Sequence, residues 1–141
     1  MNLNYELVKH LTVFEGMRLK PYKCSAGKTT IGIGRNLEDK GITPDEAYMM
    51  LDNDIREVID DLQLEVFCGA WRRFPDNVRL VMCSMRFNLG HSGFRGFKRM
   101  IAAAKRLDWE SVKSEMRDSK WFSQVGHRGH ALVDLIDEAI K

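Results

Sequence analysis

Apolar side chains near the start of the chain recur at intervals of four, four and three residues, at Leu3, Leu7, Leu11 and Phe14. This spacing places them on one face of a helix and predicts an amphipathic helix. Gly16 follows Glu15 directly, and glycine is the residue that most often stands just after the end of a helix. We therefore expect Glu15 to lie in the last turn of this helix.

The next segment has the residue pattern of β-strands. We predict a strand over 19–23, a turn over 25–28 and a returning strand over 29–34, which is rich in β-branched residues. Together they form a hairpin, and a third short strand is expected near Leu37. Pro21 cannot donate a hydrogen bond to a neighbouring strand, so the first strand should lie at an edge of the sheet.

The remaining apolar pattern is helical. Thr43, Pro44 and Glu46 stand at the N-cap, first and third positions of a helix expected over 44–62, which is the pattern of a capping box. Further helices are predicted over 76–90, 93–105, 109–117 and 130–140. The predicted fold class is therefore α+β and mostly α, with a small β-hairpin near the N-terminus.

Composition and charge argue against a disordered chain. The 141 residues (16.3 kDa) are 44% hydrophobic and 30% charged, which indicates one globular domain, or two lobes that share one core. The net charge is only +2, yet residues 71–141 carry 14 Lys and Arg against 8 Asp and Glu. Two interpretations of this basic half stay open: a surface for an anionic polymer such as nucleic acid or cell wall, and an ordinary solvated helical surface.

The cysteines and the apolar content limit the class of protein further. Three cysteines without a CxxC pair argue against a disulfide framework or a zinc site, and Cys68 and Cys83 are expected to be small core residues. No segment is apolar enough to cross a bilayer, and residues 1–15 lack the apolar core of a signal peptide. We therefore expect accumulation in a cytoplasm, and the sequence implies no metal or organic cofactor.

Three polar residues cluster around the predicted hairpin: Glu15, Cys24 and Thr30. A helix end that faces a hairpin can form a concave junction where such side chains converge on a substrate. A carboxyl group in a last helical turn meets the negative end of the helix dipole, which disfavours its charged form. Glu15 is therefore a candidate general acid, and the alternative is a surface glutamate ahead of a helix end.

The spacing of these residues resembles the E-x8-[D/C]-x5-T signature of the phage lysozymes of glycoside hydrolase family 24. The strings FEGMRLKPYKCSAGKTTIGIGRNL, ITPDEAYMMLDNDI, MRFNLGHSGFRGF and SKWFSQVGHRGHAL resemble motifs of that family in the same order. The resemblance implies one lysozyme-like domain, in which a small and a larger lobe flank a cleft. Its parts would be a β-bearing lobe at about 16–42, an inter-lobe helix at about 44–62, and a helical lobe at about 63–141 that includes the N-terminal helix.

The resemblance also implies an activity: an endolysin that hydrolyses the β-1,4 bond between N-acetylmuramic acid and N-acetylglucosamine in peptidoglycan and thereby lyses the host. Glu15 would be the general acid, Cys24 would stand at the second catalytic position, and Thr30 would help to hold the attacking water. Phe87 would contact the saccharide, and Arg128 would pair with the acid.

Two departures from the family pattern bear on the site. Arg35 stands where the family often has His, and Cys24 stands where many members have Asp. A thiol with a reference pKa of roughly 8.5 is mostly neutral at pH 7, although Lys23 and Lys28 lie close enough in sequence to lower that pKa. Three roles for Cys24 stay open: thiolate base, covalent nucleophile and water-positioning group.

The resemblance implies a monomer that acts on peptidoglycan glycan strands, without nucleic acid and without spanning a membrane. It would wait in the host cytoplasm and reach the periplasm and cell wall once a holin opens the membrane. Three alternatives remain: a lytic transglycosylase, which needs only one acid/base carboxylate; a basic helical module that binds nucleic acid; and a lysozyme-like protein that binds the wall without cleaving it.

Overall fold

Helices account for most of the chain, and its strands form one small antiparallel sheet. The computed structural model describes residues 1–141. The chain divides into two units, Met1–Met49 and Met50–Lys141. The predicted α+β, mostly α class is confirmed. No helix is both long and apolar enough to cross a membrane.

The first helix, α1, spans Leu3–Glu15 and ends where the sequence predicts. The Asn2 side chain accepts a hydrogen bond from the Tyr5 N–H at the start of the helix, at 3.1 Å. Gly16, with φ +72°, donates its N–H to the Thr12 carbonyl at 3.0 Å. This conformation favours glycine, so the residue type fixes the end of α1 and the position of Glu15.

The sheet has the order β1-β2-β3, with strands at Arg18–Lys23, Thr29–Gly32 and Arg35–Asn36. Tyr22 pairs with Thr30, and Ile31 pairs with Arg35. Pro21 lies on an edge strand as predicted, within a stretch where the register between β1 and β2 is irregular. Because β2 is the central strand, Thr30 is held between neighbours on both sides.

The start of α2, which spans Pro44–Asp60, confirms the predicted capping box. Glu46 donates its N–H to the Thr43 hydroxyl at 3.2 Å, and its carboxylate accepts the Thr43 N–H at 2.9 Å. The two terminal nitrogens of Arg35 donate to the same carboxylate, each at 2.7 Å. Arg35 and the Thr43 N–H together lower the pKa of Glu46 to about 2.

All regular secondary structure in the second unit is helical. A π-helical turn over Asp61–Val66 and a 3-10 helix over Cys68–Arg73 precede five helices: α3 Asp76–Arg95, α4 Lys98–Lys105, α5 Trp109–Arg117, α6 Lys120–Val125 and α7 His127–Ala139. Gly90, with φ +79°, interrupts α3 at the point where the sequence predicts its end. The core of this unit includes fully buried side chains from most of these elements: Leu62, Phe67, Val78, Met82, Met85, Phe94, Met100, Val112, Met116 and Ile136.

The prediction that Cys68 is a core residue is wrong. Cys68 is exposed, and it has φ +50° at the start of the 3-10 helix. Its thiol donates to the Leu64 carbonyl at 3.3 Å, on the surface of the preceding π-helical turn. Cys83 is half-buried and packs against the core, so the prediction holds for it only in part. The apolar neighbours of Cys68 in sequence do not bury it, because the chain changes from one helix type to another at this residue.

A nearly buried ion cluster holds the π-helical turn to α3. Asp61 accepts from Arg86 Nε at 2.7 Å and from both terminal nitrogens of Arg95, at 2.9 and 2.6 Å. The Asp61 and Arg86 side chains are only 10% and 7% exposed. Arg95 and then Arg86 hold the pKa of Asp61 well below its ordinary range, against the opposing effect of burial.

Asp61→Asn is expected to lower the free energy of unfolding at pH 7 by about 3 kcal/mol, because it leaves the buried Arg86 guanidinium without its anion. A carboxyl group with a lowered pKa in the folded state stabilises the fold above its unfolded pKa, and this contribution disappears as pH falls. The difference between the variant and the wild type should therefore shrink below about pH 4. Urea unfolding across this pH range measures the effect, and Asp60→Asn, at the exposed neighbouring aspartate, is the matched control.

Candidate active site

The Glu15 carboxyl group lies against the turn that joins β2 to β3. Glu15 is exposed, and its carboxylate forms no hydrogen bond or ion pair within the chain. Gly34, in the turn, has φ +72°, and a Cβ placed on it would lie 2.8 Å from Glu15 Oε2 and 3.0 Å from Glu15 Cδ. The absence of a side chain at residue 34 therefore makes the space in which the carboxyl group sits.

Gly34 belongs to the candidate site, although the sequence pattern did not predict it. Its position in the Gly32-Ile33-Gly34 pair fits an ordinary strand glycine. A glycine in a tight turn also permits a close approach by another group, and that property was the available signal. The chain gives no indication of which group approaches, because Glu15 lies 19 positions earlier.

Gly34→Ala is expected to lower any activity that depends on Glu15 by about tenfold or more, since a 1 Å misplacement of a catalytic group can have effects of this size. The new methyl group would lie within contact distance of the carboxyl group and displace it. Gly90→Ala is the matched control, because Gly90 has φ +79°, nothing lies within 4 Å of a Cβ placed there, and it lies outside the turns next to Glu15 and Cys24. The measurement is the wall-clearing rate per amount of folded protein. If this rate falls equally in the two variants, backbone strain alone explains the effect, and the contact with Glu15 does not.

The other two candidate residues meet at the turn between β1 and β2. Cys24 donates its N–H to the Lys28 carbonyl at 2.9 Å, and the Thr30 hydroxyl donates to the same oxygen at 2.9 Å. Thr30 is only 3% exposed, and Cys24 is half-buried. A single carbonyl group thus ties Cys24 to Thr30, and the structure brings these two candidates together.

The Cys24 thiol has a lowered pKa, mainly because backbone N–H groups stabilise its charged form. The N–H of Lys28 has the largest effect on this pKa, and that of Ala26 follows. Burial raises the pKa by less than either, and the Thr30 hydroxyl lowers it by a still smaller amount. We expected lysine ammonium groups to lower this pKa, but Lys23 pairs with Glu38 at 3.0 Å. The Lys28 ammonium group likewise pairs with a carboxylate, that of Asp39, at 3.5 Å. The turn backbone, and not the lysine side chains, therefore lowers the pKa of Cys24.

Thr30 has one proton to share between two acceptors. In the structure its hydroxyl donates to the Lys28 carbonyl, whereas stabilisation of a Cys24 thiolate requires donation to sulfur. A hydroxyl group rotates to suit its acceptor, so both states are available without movement of the backbone. Ionisation of Cys24 and the orientation of the Thr30 hydroxyl are consequently linked.

Phe87 and Arg128 line one apolar groove of the helical unit, with a volume of about 580 Å³. Phe87 is 45% exposed, and the Arg128 guanidinium donates to the Ser84 carbonyl and to the Ser84 hydroxyl, each at 3.0 Å. These two candidates are therefore brought together in the second unit, whereas Glu15, Cys24 and Thr30 belong to the first. The pairing of Arg128 with Glu15 stays a prediction.

Comparison with known proteins identifies the family. Residues 12–135 match the family model described as phage lysozyme. This match includes every candidate site residue, from Glu15 to Arg128. It also includes all three strands and the helices from α2 to α6.

Three similar proteins come from phages. The chain is 25% identical to the pre-baseplate central spike protein Gp5 of Enterobacteria phage T4, over 96% of the chain and 28% of that protein. It is 34% identical to an endolysin of Acyrthosiphon pisum secondary endosymbiont phage 1, over 57% of the chain and 55% of that protein. It is 26% identical to peptidoglycan hydrolase gp36 of Pseudomonas phage phiKMV, over 89% of the chain and 14% of that protein. The chain thus spans about half or less of the length of these relatives.

Proposed function

We propose, from the premise that this chain belongs to the phage lysozyme family, that it is a muramidase. Its reaction would be hydrolysis of the β-1,4 bond between N-acetylmuramic acid and N-acetylglucosamine in peptidoglycan. The observation that carries the proposal is the exposed Glu15 carboxyl group, which a helix end positions and the space at Gly34 accommodates. The names of two relatives, an endolysin and a peptidoglycan hydrolase, support the same substrate.

The proposed reaction is a single displacement by water. Glu15 donates its proton to the oxygen of the leaving sugar while a water molecule attacks the anomeric carbon from the opposite face. Cys24 assists by accepting the proton of that water, and its lowered pKa makes the required thiolate more abundant near neutrality than an ordinary thiol provides. The buried Thr30 hydroxyl helps to orient the water. The product is inverted at the anomeric carbon.

We propose that Phe87 contacts the substrate and that Arg128 pairs with the catalytic acid. The exposed ring of Phe87 offers an apolar surface to one face of a sugar. Arg128 uses one terminal nitrogen to bind Ser84, so its remaining donors are available to a carboxylate such as that of Glu15. We also propose that the protein acts as a monomer and is released from the host cytoplasm to the wall when a holin opens the membrane.

The test combines wall clearing with product analysis. We expect the protein to reduce the turbidity of outer-membrane-permeabilised cells and to release muropeptides whose reducing ends carry the mass of one added water. Products lighter by one water would instead identify a lytic transglycosylase, which the presence of a thiol at position 24 in place of a second carboxylate keeps open. Binding to walls without clearing would identify a non-catalytic protein, and salt-sensitive DNA binding without clearing would identify a nucleic-acid-binding module.

A further inference from the structure

A basic surface lies on α4, outside the residues to which catalysis is assigned. Four exposed cations, three in α4 and one at its C-cap, form what we call the α4 basic face: Lys98, Arg99, Lys105 and Arg106. The first pair precedes the second by seven residues, so the two pairs lie on the same side of the helix, about 10 Å apart along its axis. The opposite side of α4 packs into the core through Met100, Ala103 and Ala104, which fixes the basic side outward.

Most of these cations have no anionic partner within the protein. Only Arg106 forms an ion pair, with Asp108 at 3.6 Å, and the side chains of both residues are well exposed. Glu115 and Asp118 line a concavity together with Lys98 and Arg99. Neither acid forms an ion pair with these two cations. The α4 basic face is therefore available to an external anion.

The stability of the helix does not explain the first pair of cations. Lys98 and Arg99 lie in the first turn of α4, where the free N–H groups carry partial positive charge and cations are disfavoured. The turn contains no acidic residue, and no side chain caps it. Removal of these two charges should therefore leave the helix intact, and a role outside the fold accounts for their position better than helix formation does.

We propose that the α4 basic face binds the carboxylates of peptidoglycan peptide stems and so holds the protein on the cell wall. The proposal rests on the proposed function, because it takes the wall as the substrate. Peptide stems present carboxylates repeatedly along a glycan strand, which complements a row of cations. A single exposed ion pair contributes little, so the four cations must act together, and their effect must weaken as salt rises.

The test measures wall binding separately from cleavage. Binding is measured by co-sedimentation with purified sacculi that are free of phosphate polymers. Every protein in the assay carries Glu15→Gln, so that the sacculi are not digested, and the protein with this change alone is the background protein. Replacement of Lys98, Arg99, Lys105 and Arg106 by Gln should weaken binding about tenfold or more at low salt and remove most of its salt dependence. The matched control replaces four exposed lysines elsewhere by Gln and changes the net charge equally: Lys9, Lys20, Lys40 and Lys141.

A second arm tests the carboxylates themselves. Sacculi whose carboxylates have been converted to amides should bind the background protein as weakly as untreated sacculi bind the variant that lacks the α4 basic face. Unchanged binding by that variant, equal weakening in the lysine control, or undiminished binding to amidated sacculi would each overturn the proposal. Failure of the proposed function is recognised separately, because the protein with Glu15 intact would then release no muropeptides.

Discussion

Glu15→Gln is expected to lower the rate of wall clearing about 100-fold or more, because an amide cannot donate the proton that the leaving sugar requires. The fold should not change, since the Glu15 side chain is exposed and has no partner within the chain whose bond would be lost. Turbidity loss of permeabilised cells measures the activity, and urea unfolding measures the stability.

The matched control for this variant lies on the same helix. Glu6→Gln makes the same chemical change at an exposed residue in the first turn of α1, where it removes a surface ion pair with Lys9 at 3.3 Å and a favourable charge at the helix start. We expect this variant to clear walls at the wild-type rate. Near-normal clearing by Glu15→Gln would refute the assignment of the acid, whereas parallel losses in both variants would point to damage to α1.

The second large effect is expected at Cys24, where the choice of replacement distinguishes activation of water from positioning of water. If Cys24 activates water, Cys24→Asp should retain activity within about tenfold of wild type, because its carboxylate is ionised at the working pH. Cys24→Ser should then lose about 100-fold, since a serine hydroxyl is not a usable base there. If Cys24 only positions water, Cys24→Ser should be tolerated.

The stereochemistry of the product separates a base from a nucleophile. Inversion at the anomeric carbon fits one displacement by water, and retention requires two displacements and a glycosyl adduct on sulfur. Because the pKa of Cys24 is lowered, the activity of the wild type should rise with pH over a range below that of an ordinary thiol. Cys68→Ser, at an exposed thiol outside the candidate site, is the control, and it should keep both the rate and the pH profile.

Local signals in the sequence predicted much of the backbone. Gly16 marks the end of α1, Pro21 marks an edge strand, and Thr43 with Glu46 marks the start of α2, because each of these effects acts within a few residues of the chain. The catalytic candidates were found through the spacing of Glu15, Cys24 and Thr30. The structure joins the last two through the Lys28 carbonyl, within the turn that the sequence predicted.

The sequence did not predict two kinds of interaction. Some join residues that lie far apart in the chain, and others depend on the direction of backbone groups. The space at Gly34 depends on Glu15, and the Asp61 cluster depends on Arg86 and Arg95, which lie 25 and 34 residues away. The lowered pKa of Cys24 depends on N–H groups whose direction follows from the shape of the turn. Residue type and spacing do not contain this information.

The Glu46 carboxylate joins the start of α2 to the strand β3, and we expect the two elements to open as a single unit of local unfolding. One side chain accepts from the Thr43 N–H and from two nitrogens of Arg35, so fraying of the helix start also releases β3, and loss of β3 removes a partner of the cap. Amide protons on the two elements should then exchange with solvent through one shared opening event. Glu46→Gln should accelerate hydrogen exchange in both places together, although residues 35 and 46 lie 11 positions apart.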